Sequence, residues 1–429
     1  MLAALAYDAN LRWVLGSVIL LGICTGAIGT VLILRKQGLL GDVLAHAALP
    51  GVALSFLLFQ SRNSFILMLG AICSCALAYW FIQVLTKTTK IKSDSSFAIA
   101  LSLFFAFGAG LITYIQKLAL GSQSGLDRLL FGQAGALVKS DLQALALLSI
   151  VFVVFFVFAG RKLKELTFDR QFCVVQGVQS RTYDLILAVL AVALIALSLQ
   201  LVGAVMLAGL LIIPAAAARL WIKDFWQMVF VAAFIGACSG VVGTLVSYNY
   251  VAQPTGPWII LLATAFFVIS FIFAPVRGTL STYLRRRSFK RKVEKENILR
   301  TIYRELEESK EADVSSAIEL SRILIHREYS RARLLYLLKD LRQSGLVYQT
   351  GNSVALTHLG LERAAAITKG HRLWEAYLAS GQELDPSLWH AEAEEVEHLL
   401  TAEQLESLSQ KLQQPKSDPH GRVIPGKDS

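Results

Sequence analysis

The sequence predicts a mainly α-helical protein: a polytopic transmembrane bundle of eight or nine helices, followed by a cytoplasmic winged helix and a further helical region. Three observations predict it. The 429 residues are 55% hydrophobic with a mean hydropathy of +0.55, which a soluble chain of this length seldom reaches. The apolar residues before residue 277 form runs long enough to cross a hydrocarbon core of about 30 Å, which takes about 20 helical residues. From residue 277 onward no such run occurs, and the pattern becomes amphipathic.

The candidate spans cover 13–34, 39–59, 64–86, 95–116, 141–160, 184–202, 204–221, 225–247 and 257–276. Several contain glycine, and GLLIIPAAAA contains Pro214; both residues are tolerated where helices pack closely. The segments over 184–221 run together, so the count is eight or nine. Basic loops help to decide. Arg35/Lys36, Lys87/Lys90/Lys92, Arg161/Lys162/Lys164, Arg219/Lys223 and the stretch from Arg277 share one side only with nine spans. Nine is therefore the preferred count, with the N-terminus outside and the C-terminus inside a plasma or inner membrane. The first apolar segment leads straight into others without a small-residue cleavage site, so it reads as a retained helix. Cys24, Cys73, Cys75 and Cys238 lie in spans and Cys173 in a loop, so neither a disulfide framework nor a CxxC metal motif follows. No Gly-x-x-x-x-Gly-Lys-Ser/Thr occurs. The chain is not expected to bind nucleotide or to be an enzyme, and ATP hydrolysis would need a separate ATPase.

The expected organisation is a transmembrane domain over 1–280, a basic juxtamembrane linker over 281–293, a winged helix-turn-helix over 294–358, a helical region over 359–414 and a flexible tail over 415–429. The formal net charge is +10, and Arg285, Arg286, Arg287, Lys290, Arg291 and Lys292 are six cations within eight residues. The run fits an anchor on the cytoplasmic leaflet better than a nucleic-acid patch, because it directly follows the last span. Residues 293–309 read as an amphipathic helix with Ile298, Leu299, Ile302 and Leu306 on one side. Residues 314–325 and 329–343 read as two more helices, and LVYQTGNSVALT as two strands around a Gly-Asn turn. Three helices and a hairpin make a winged helix. Helices over 359–380 and 387–413 follow, and Pro415, Pro419 and Pro425 mark the loose end.

Asp42 and His46 stand at i and i+4 in GLLGDVLAHAALPGVALSF, on one helical face. An ionised Asp at the centre of a span costs at least about 2.5–3.5 kcal/mol. Together the pair can contact a divalent cation, or its members can satisfy each other at a helix contact; spacing alone does not choose. In HAEAEEVEH, His390, Glu394, Glu397 and His398 fall at i, i+4, i+7 and i+8. His371 and Glu375 repeat the i, i+4 pattern upstream. Imidazole and carboxylate without thiolate suit manganese, iron(II) or zinc, with harder ligands favouring manganese; the alternative is a solvated acidic helix with incidental histidines. On 329–343, Arg331, Arg333, Lys339 and Arg342 face either DNA phosphates or solvent, while Leu334, Leu335, Leu337, Leu338 and Leu341 face the core.

GLLGDVLAHAALPGVALSF, LLFGQAGAL (129–137), FDRQFCVVQGV (168–178) and GAVMLAGLLIIPAAAARL (203–220) resemble, in that order, the motifs of the zinc/manganese/iron-type ABC permeases. The resemblance spans residues 10 to 276 and implies a permease subunit of an ATP-driven importer. Asp42 and His46 would line the metal path near an extracellular gate. Residues 168–178, with Phe168, Asp169 and Gly177, would form the coupling helix that docks into the ATPase. The implied partners are an ABC ATPase, an extracytoplasmic metal-binding protein and a second permease subunit, either a copy or a paralogue. Residues 294–426 resemble the diphtheria-toxin-repressor and manganese transport regulator family. That resemblance implies two adjacent metal positions in a metal-binding and dimerisation region, one from His371, Glu375 and His390, the other from Glu394, Glu397 and His398. Iron-responsive members carry Cys where Glu394 stands, so manganese is the implied cargo and regulatory ligand, ahead of iron and zinc. Asn297 stands where the first helix of that family donates a Met or Asp. Two alternatives remain: a membrane-fused metal-dependent transcriptional regulator released by proteolysis in the basic run, and a permease for a metal chelate.

Overall fold

The computed structural model describes residues 8–60, 64–118, 139–250, 253–309, 317–326, 329–381, 389, 392–394 and 396–426. The chain divides into two units between Thr282 and Tyr283. In the first unit the apolar runs are helices: α1 (Ala9–Leu34), α2 (Gly38–Phe59), α3 (Ser64–Thr88), α4 (Ser93–Lys117) and α5 (Lys139–Phe168). The short α6 (Arg170–Val175) follows, then α7 (Ser180–Val202), α8 (Ala204–Trp221), α9 (Phe225–Asn249) and α10 (Thr255–Phe273). Aspartates mark three of the starts. Asp8, Asp169 and Asp224 accept hydrogen bonds from the first free amides of α1, α6 and α9.

Among the described residues eight helices are long and apolar enough to cross a membrane, one fewer than the preferred nine. α8 is the one that differs, its apolar stretch Met206–Trp221 being shorter. Gly203, at φ 85° and ψ 156°, breaks the run between α7 and α8 in a backbone region that favours glycine. α8 nevertheless reverses the chain. Arg35 pairs with Asp184 at the start of α7, and its Nε reaches Thr167 at the end of α5. Lys164 pairs with Asp224 just after α8, and the Arg277 amide donates to the Leu220 carbonyl. The basic loops at 35–36, 161–164, 219–223 and 277 therefore lie at one end of the bundle.

α1 and α2 form the interior, with Val18, Leu21, Ile28, Val31, Val43, Leu44 and Leu49 almost wholly enclosed. Val157, Phe158, Phe230 and Phe234 are exposed, as suits a lipid-facing surface. Glycine allows the closest approach. A Cβ on Gly236 would lie 2.5 Å from the Gly22 carbonyl oxygen, and one on Gly22 the same distance from the Gly236 carbonyl carbon.

The second unit takes in most of α11 (Thr279–Glu308). The linker expected over 281–293 lies within this helix, since no Gly or Pro interrupts 279–308. β1 (Ile318–Glu319), α12 (Leu320–His326), α13 (Arg331–Gln343), β2 (Val347–Thr350) and β3 (Ser353–Leu356) follow. The helix expected over 314–325 thus opens as a strand, and residues 310–316 lie outside the described residues. The strands form an antiparallel sheet ordered β1-β3-β2, with Ile318 opposite Val354 and Val347 opposite Leu356. Ile298, Leu299, Ile302, Ile323, Leu334, Leu337, Leu338, Leu341 and Val354 fill the core of this winged helix. Leu335, expected there, is 40% exposed: it sits one residue off the buried stripe of α13.

α14 (His358–Gly381) and α15 (Ala402–Lys411) complete the unit, the latter opened by a Thr401/Gln404 capping box. The helix expected over 387–413 is interrupted, because the chain turns at 397–399. The segment expected to be loose is also ordered over 415–426. Asp418 is buried and accepts from the His420 and Arg422 amides, Ser417 bridges to Val423, and the Arg372 guanidinium donates to the Val423 carbonyl. Prolines stop a helix there without preventing a hydrogen-bonded turn.

Replacing Gly236 with valine is expected to cost about 1–3 kcal/mol through overpacking and to lower the melting temperature of the detergent-solubilised protein. Gly110→Val should leave it unchanged in the same thermal scan, since nothing lies within 4 Å of an added Cβ there.

Candidate metal centres

In the bundle, Asp42 stands in the second turn of α2 and His46 one turn further on. The His46 Nε2 lies 3.3 Å from the Asp42 Oδ1, with the side chains 14% and 28% exposed respectively. The edge of Phe105 packs against the imidazole, with centroids 5.0 Å apart. The other ring nitrogen, Nδ1, is buried and has no hydrogen-bond partner among the described residues. A buried polar atom left in this state costs about 1–3 kcal/mol. At 1.5 Å per residue, Asp42 and His46 lie about 6 and 12 Å along α2 from Gly38.

The end of α2 near Asp42 is also the end that carries the basic loops. A cavity of about 590 Å³ there is lined by Leu40, Arg35, Lys87, Arg170, Arg181 and Asp184, among others. Asp184 holds two guanidinium groups, Arg35 at 2.6 Å and Arg170 at 2.7 Å. Four cations against one acid make the cavity a poor resting place for a dication. Arg170 belongs to α6, the short helix in the sequence expected to couple. Asp169 caps it by accepting from the Phe172 amide at 2.9 Å. Gly177 closes it at φ 80°, a backbone region that suits glycine. Phe168, Phe172, Val174 and Val175 are all more than half exposed, an apolar surface at a helix too short to span. The LLFGQAGAL segment lies outside the described residues.

In the second unit five of the six expected ligands are described; His390 lies outside the described residues. His371 and Glu375, one turn apart on α14, meet at 2.9 Å between Nε2 and Oε1. The His371 Nδ1 meets the Glu397 Oε2 at 2.5 Å. Glu397, expected at one metal position, therefore bonds His371, expected at the adjacent one. The chain turns at 397–399, yet the Glu397 amide keeps its helical bond to the Ala393 carbonyl, and Glu397 shares Arg300 with Glu394. The His398 Nδ1 bonds Glu296 at 2.8 Å, and its Nε2 lies 3.2 Å from the Asn297 Oδ1 and 3.3 Å from the Glu397 Oε1. Sequence reasoning missed Glu296 and Arg300, both from α11. Arg300 donates to both oxygens of Glu397, at 3.1 and 3.0 Å, and stands 3.7 Å from Glu394. Burial depresses the His371 pKa, yet hydrogen bonds to Glu375 and Glu397 outweigh it and hold the imidazole above its ordinary value. Burial likewise opposes ionisation of Glu296, but His398 and Arg363 overcome it and keep the carboxyl below the usual range.

These donors suit manganese in kind, being buried imidazoles and carboxylates without sulfur. In the arrangement shown, no three His, Cys, Asp or Glu among the described residues are placed to hold an ion. Their lone pairs are spent on one another and on Arg300.

On α13, Lys339 and Arg342 are exposed, as is Arg331, which donates to the Asn352 side chain at 3.3 Å. Arg333 is tied to Glu294 at 2.5 Å and packs on the Tyr336 ring. Asp340, on the same helix, takes up Arg291 at 2.9 Å and Lys295 at 3.0 Å from the basic end of α11.

A bundle of membrane-length helices with a carboxylate–imidazole pair inside it, followed by a winged helix and a buried His/Glu cluster, defines a multi-pass membrane transport protein with an attached regulator-type unit. The chain belongs to the ABC 3 transport family, whose model matches residues 7–274. Residues 357–426 match the iron dependent repressor, metal binding and dimerisation domain. The manganese transport system membrane protein MntC of Bacillus subtilis (strain 168) is 36% identical over 376 residues, covering 87% of this chain and 85% of that protein. A probable metal transport system membrane protein of Chlamydia trachomatis is 28% identical over 433 residues, covering 95% and 94%. Among solved structures, PsaBC from Streptococcus pneumoniae in complex with Fab is similar at 31% identity with a TM-score of 0.58, covering 67% of this chain and 98% of that one.

Asp184→Ala is expected to destabilise the solubilised protein by about 3–5 kcal/mol, because it strands the buried Arg35 guanidinium. Arg170→Ala should cost under about 1 kcal/mol, since Arg170 is 56% exposed and Asp184 keeps Arg35. Thermal scans of the two variants compare them directly.

Proposed function

We propose that this chain is the permease subunit of an ABC importer for divalent metal, with manganese as the cargo. The observation that carries the reading is the Asp42–His46 pair inside the bundle, with a buried imidazole nitrogen still open to a ligand. Family membership and the relatives named for manganese support it. A zinc transport system membrane protein, TroC of Treponema pallidum, is also 34% identical over 280 residues, so zinc is the nearest competing cargo. A chelate permease is disfavoured, because a wrapped metal would not need a carboxylate and an imidazole on its path.

ATP is hydrolysed by a separate ATPase, which docks on the segment around α6 through Phe168, Asp169, Gly177 and the exposed apolar residues between them. An extracytoplasmic metal-binding protein delivers the ion, and a second permease subunit completes the pore. The basic loops gathered at one end of the bundle support an orientation with that end, and the tail, in the cytoplasm of a multi-pass plasma-membrane protein. Asp42 and His46 then stand in the cytoplasmic half of α2, approaching mid-depth. The cavity shared by Leu40 and Arg170 favours this inner position over an extracellular gate.

The tail, divided into the winged helix over 294–358 and the metal-binding and dimerisation region from 359, reads cytoplasmic metal through His371, Glu375, His390, Glu394, Glu397 and His398. A second reading, a DNA-binding regulator, rests on the exposed Arg331, Lys339 and Arg342; Arg333 is already held by Glu294. If the metal-loaded chain retains no DNA in a mobility assay, the tail serves the transporter alone.

Cells lacking this chain should lose most high-affinity manganese uptake. Asp42→Ala and His46→Ala should each reduce isotope uptake at least about tenfold at unchanged membrane abundance, which corresponds to about 1.4 kcal/mol of lost interaction. Normal uptake by both variants would overturn the path assignment.

A further inference from the structure

We propose that Arg300 is a resident cation of the tail's His/Glu cluster, which a divalent metal must displace in order to bind there. The inference rests on the reading of the tail as a metal sensor and adds the step by which metal enters it.

The geometry is that of an occupied position. The Arg300 side chain is 9% exposed and that of Glu397 is fully enclosed. Arg300 donates from Nη1 to both Glu397 oxygens, at 3.1 and 3.0 Å. Each of those oxygens also meets one imidazole, Oε2 with the His371 Nδ1 at 2.5 Å and Oε1 with the His398 Nε2 at 3.3 Å. Glu394 approaches the same guanidinium nitrogen at 3.7 Å. One cationic nitrogen therefore stands among the carboxylates expected to act as ligands.

A guanidinium has only N–H donors and no lone pair to offer a metal. At about 3 Å from the ligand oxygens its charge would also repel a dication seated on them. The two cations therefore exclude each other. The other carboxylates of the cluster also have partners in this arrangement. Glu296 is matched by Arg363 at 2.6 Å and by His398, and Glu375 by His371. Arg300 is carried by α11, whereas Glu394 and Glu397 follow α14. Exchange of Arg300 for metal would thus replace the tie from α11 to Glu394 and Glu397 by a bond to the ion. A sensor of this kind responds only when the ion outcompetes a built-in cation, which sets its threshold above that of an open site.

The test uses the full chain in detergent with manganese(II) chloride as the only probe. Tail binding is the part of the equilibrium-dialysis isotherm that His371→Ala removes. Arg300→Met, similar in length and uncharged, is expected to tighten that part at least tenfold, while Arg300→Lys stays within threefold of the parent. In the unaltered chain, modification of Arg300 by phenylglyoxal, read by mass spectrometry, should accelerate at least fivefold when manganese is added; this arm does not depend on any variant folding. His371-dependent binding in the parent, with no tightening in a folded Arg300→Met and no change in Arg300 reactivity, overturns the displacement step and leaves metal sensing standing. Absence of His371-dependent binding in both proteins overturns the sensing reading and this inference with it.

Discussion

A charge withdrawn from water has to be matched by an opposite charge or a hydrogen bond, and both units of this protein are organised around that constraint. In the bundle, Asp184 is the hub. It holds the largely buried Arg35 at the end of α1 and the more exposed Arg170 of α6, so the end of the first span, the start of α7 and the short α6 share one acid. In the tail, Glu397 has the same role for Arg300, His371 and His398. Each hub is a carboxylate claimed by several partners. Removing a hub strands buried cations, whereas removing an exposed partner does not.

Set beside these hubs, the Asp42–His46 pair is more loosely matched. The carboxylate and imidazole meet at only 3.3 Å, and the second ring nitrogen is buried without a partner among the described residues. Such an atom costs about 1–3 kcal/mol as it stands, and an ion on the proposed path is an occupant whose chemistry would fit it. The cavity at the basic end of the bundle has a positive lining, so a dication would have little reason to linger there.

Much of this was legible in the sequence. Span length and composition mark the bundle, and i, i+4 spacing places Asp42 beside His46 and His371 beside Glu375. The winged helix follows from the turn residues around Gly351 and the apolar pattern of α11 and α13. What the sequence hid was long-range pairing and local termination. Helical spacing grouped Glu394, Glu397 and His398, but it did not show that the two glutamates meet Arg300 while His398 meets Glu296. Glu296 and Arg300 lie about a hundred residues before their partners, and periodicity carries no information at that range. The acid–guanidinium pairing of Asp184 with Arg35 was hidden for the same reason. Pro415 and Pro419 suggested a loose end, where Asp418 in fact organises a turn against Arg372. The one-residue error at Leu335 shows how narrow a buried helical stripe is.

The central claim is that one chain both conducts a divalent metal and senses it. Its most direct test is radiolabelled manganese uptake into proteoliposomes holding the chain with its ATPase and binding protein, with unlabelled manganese varied on the face that carries the tail. The account predicts ATP-dependent accumulation whose initial rate falls as manganese rises on that face. It also predicts that His371→Ala keeps the transport and loses the inhibition. Absence of ATP-dependent manganese accumulation would contradict the transport claim, and a rate indifferent to manganese on the tail side would contradict the sensing claim.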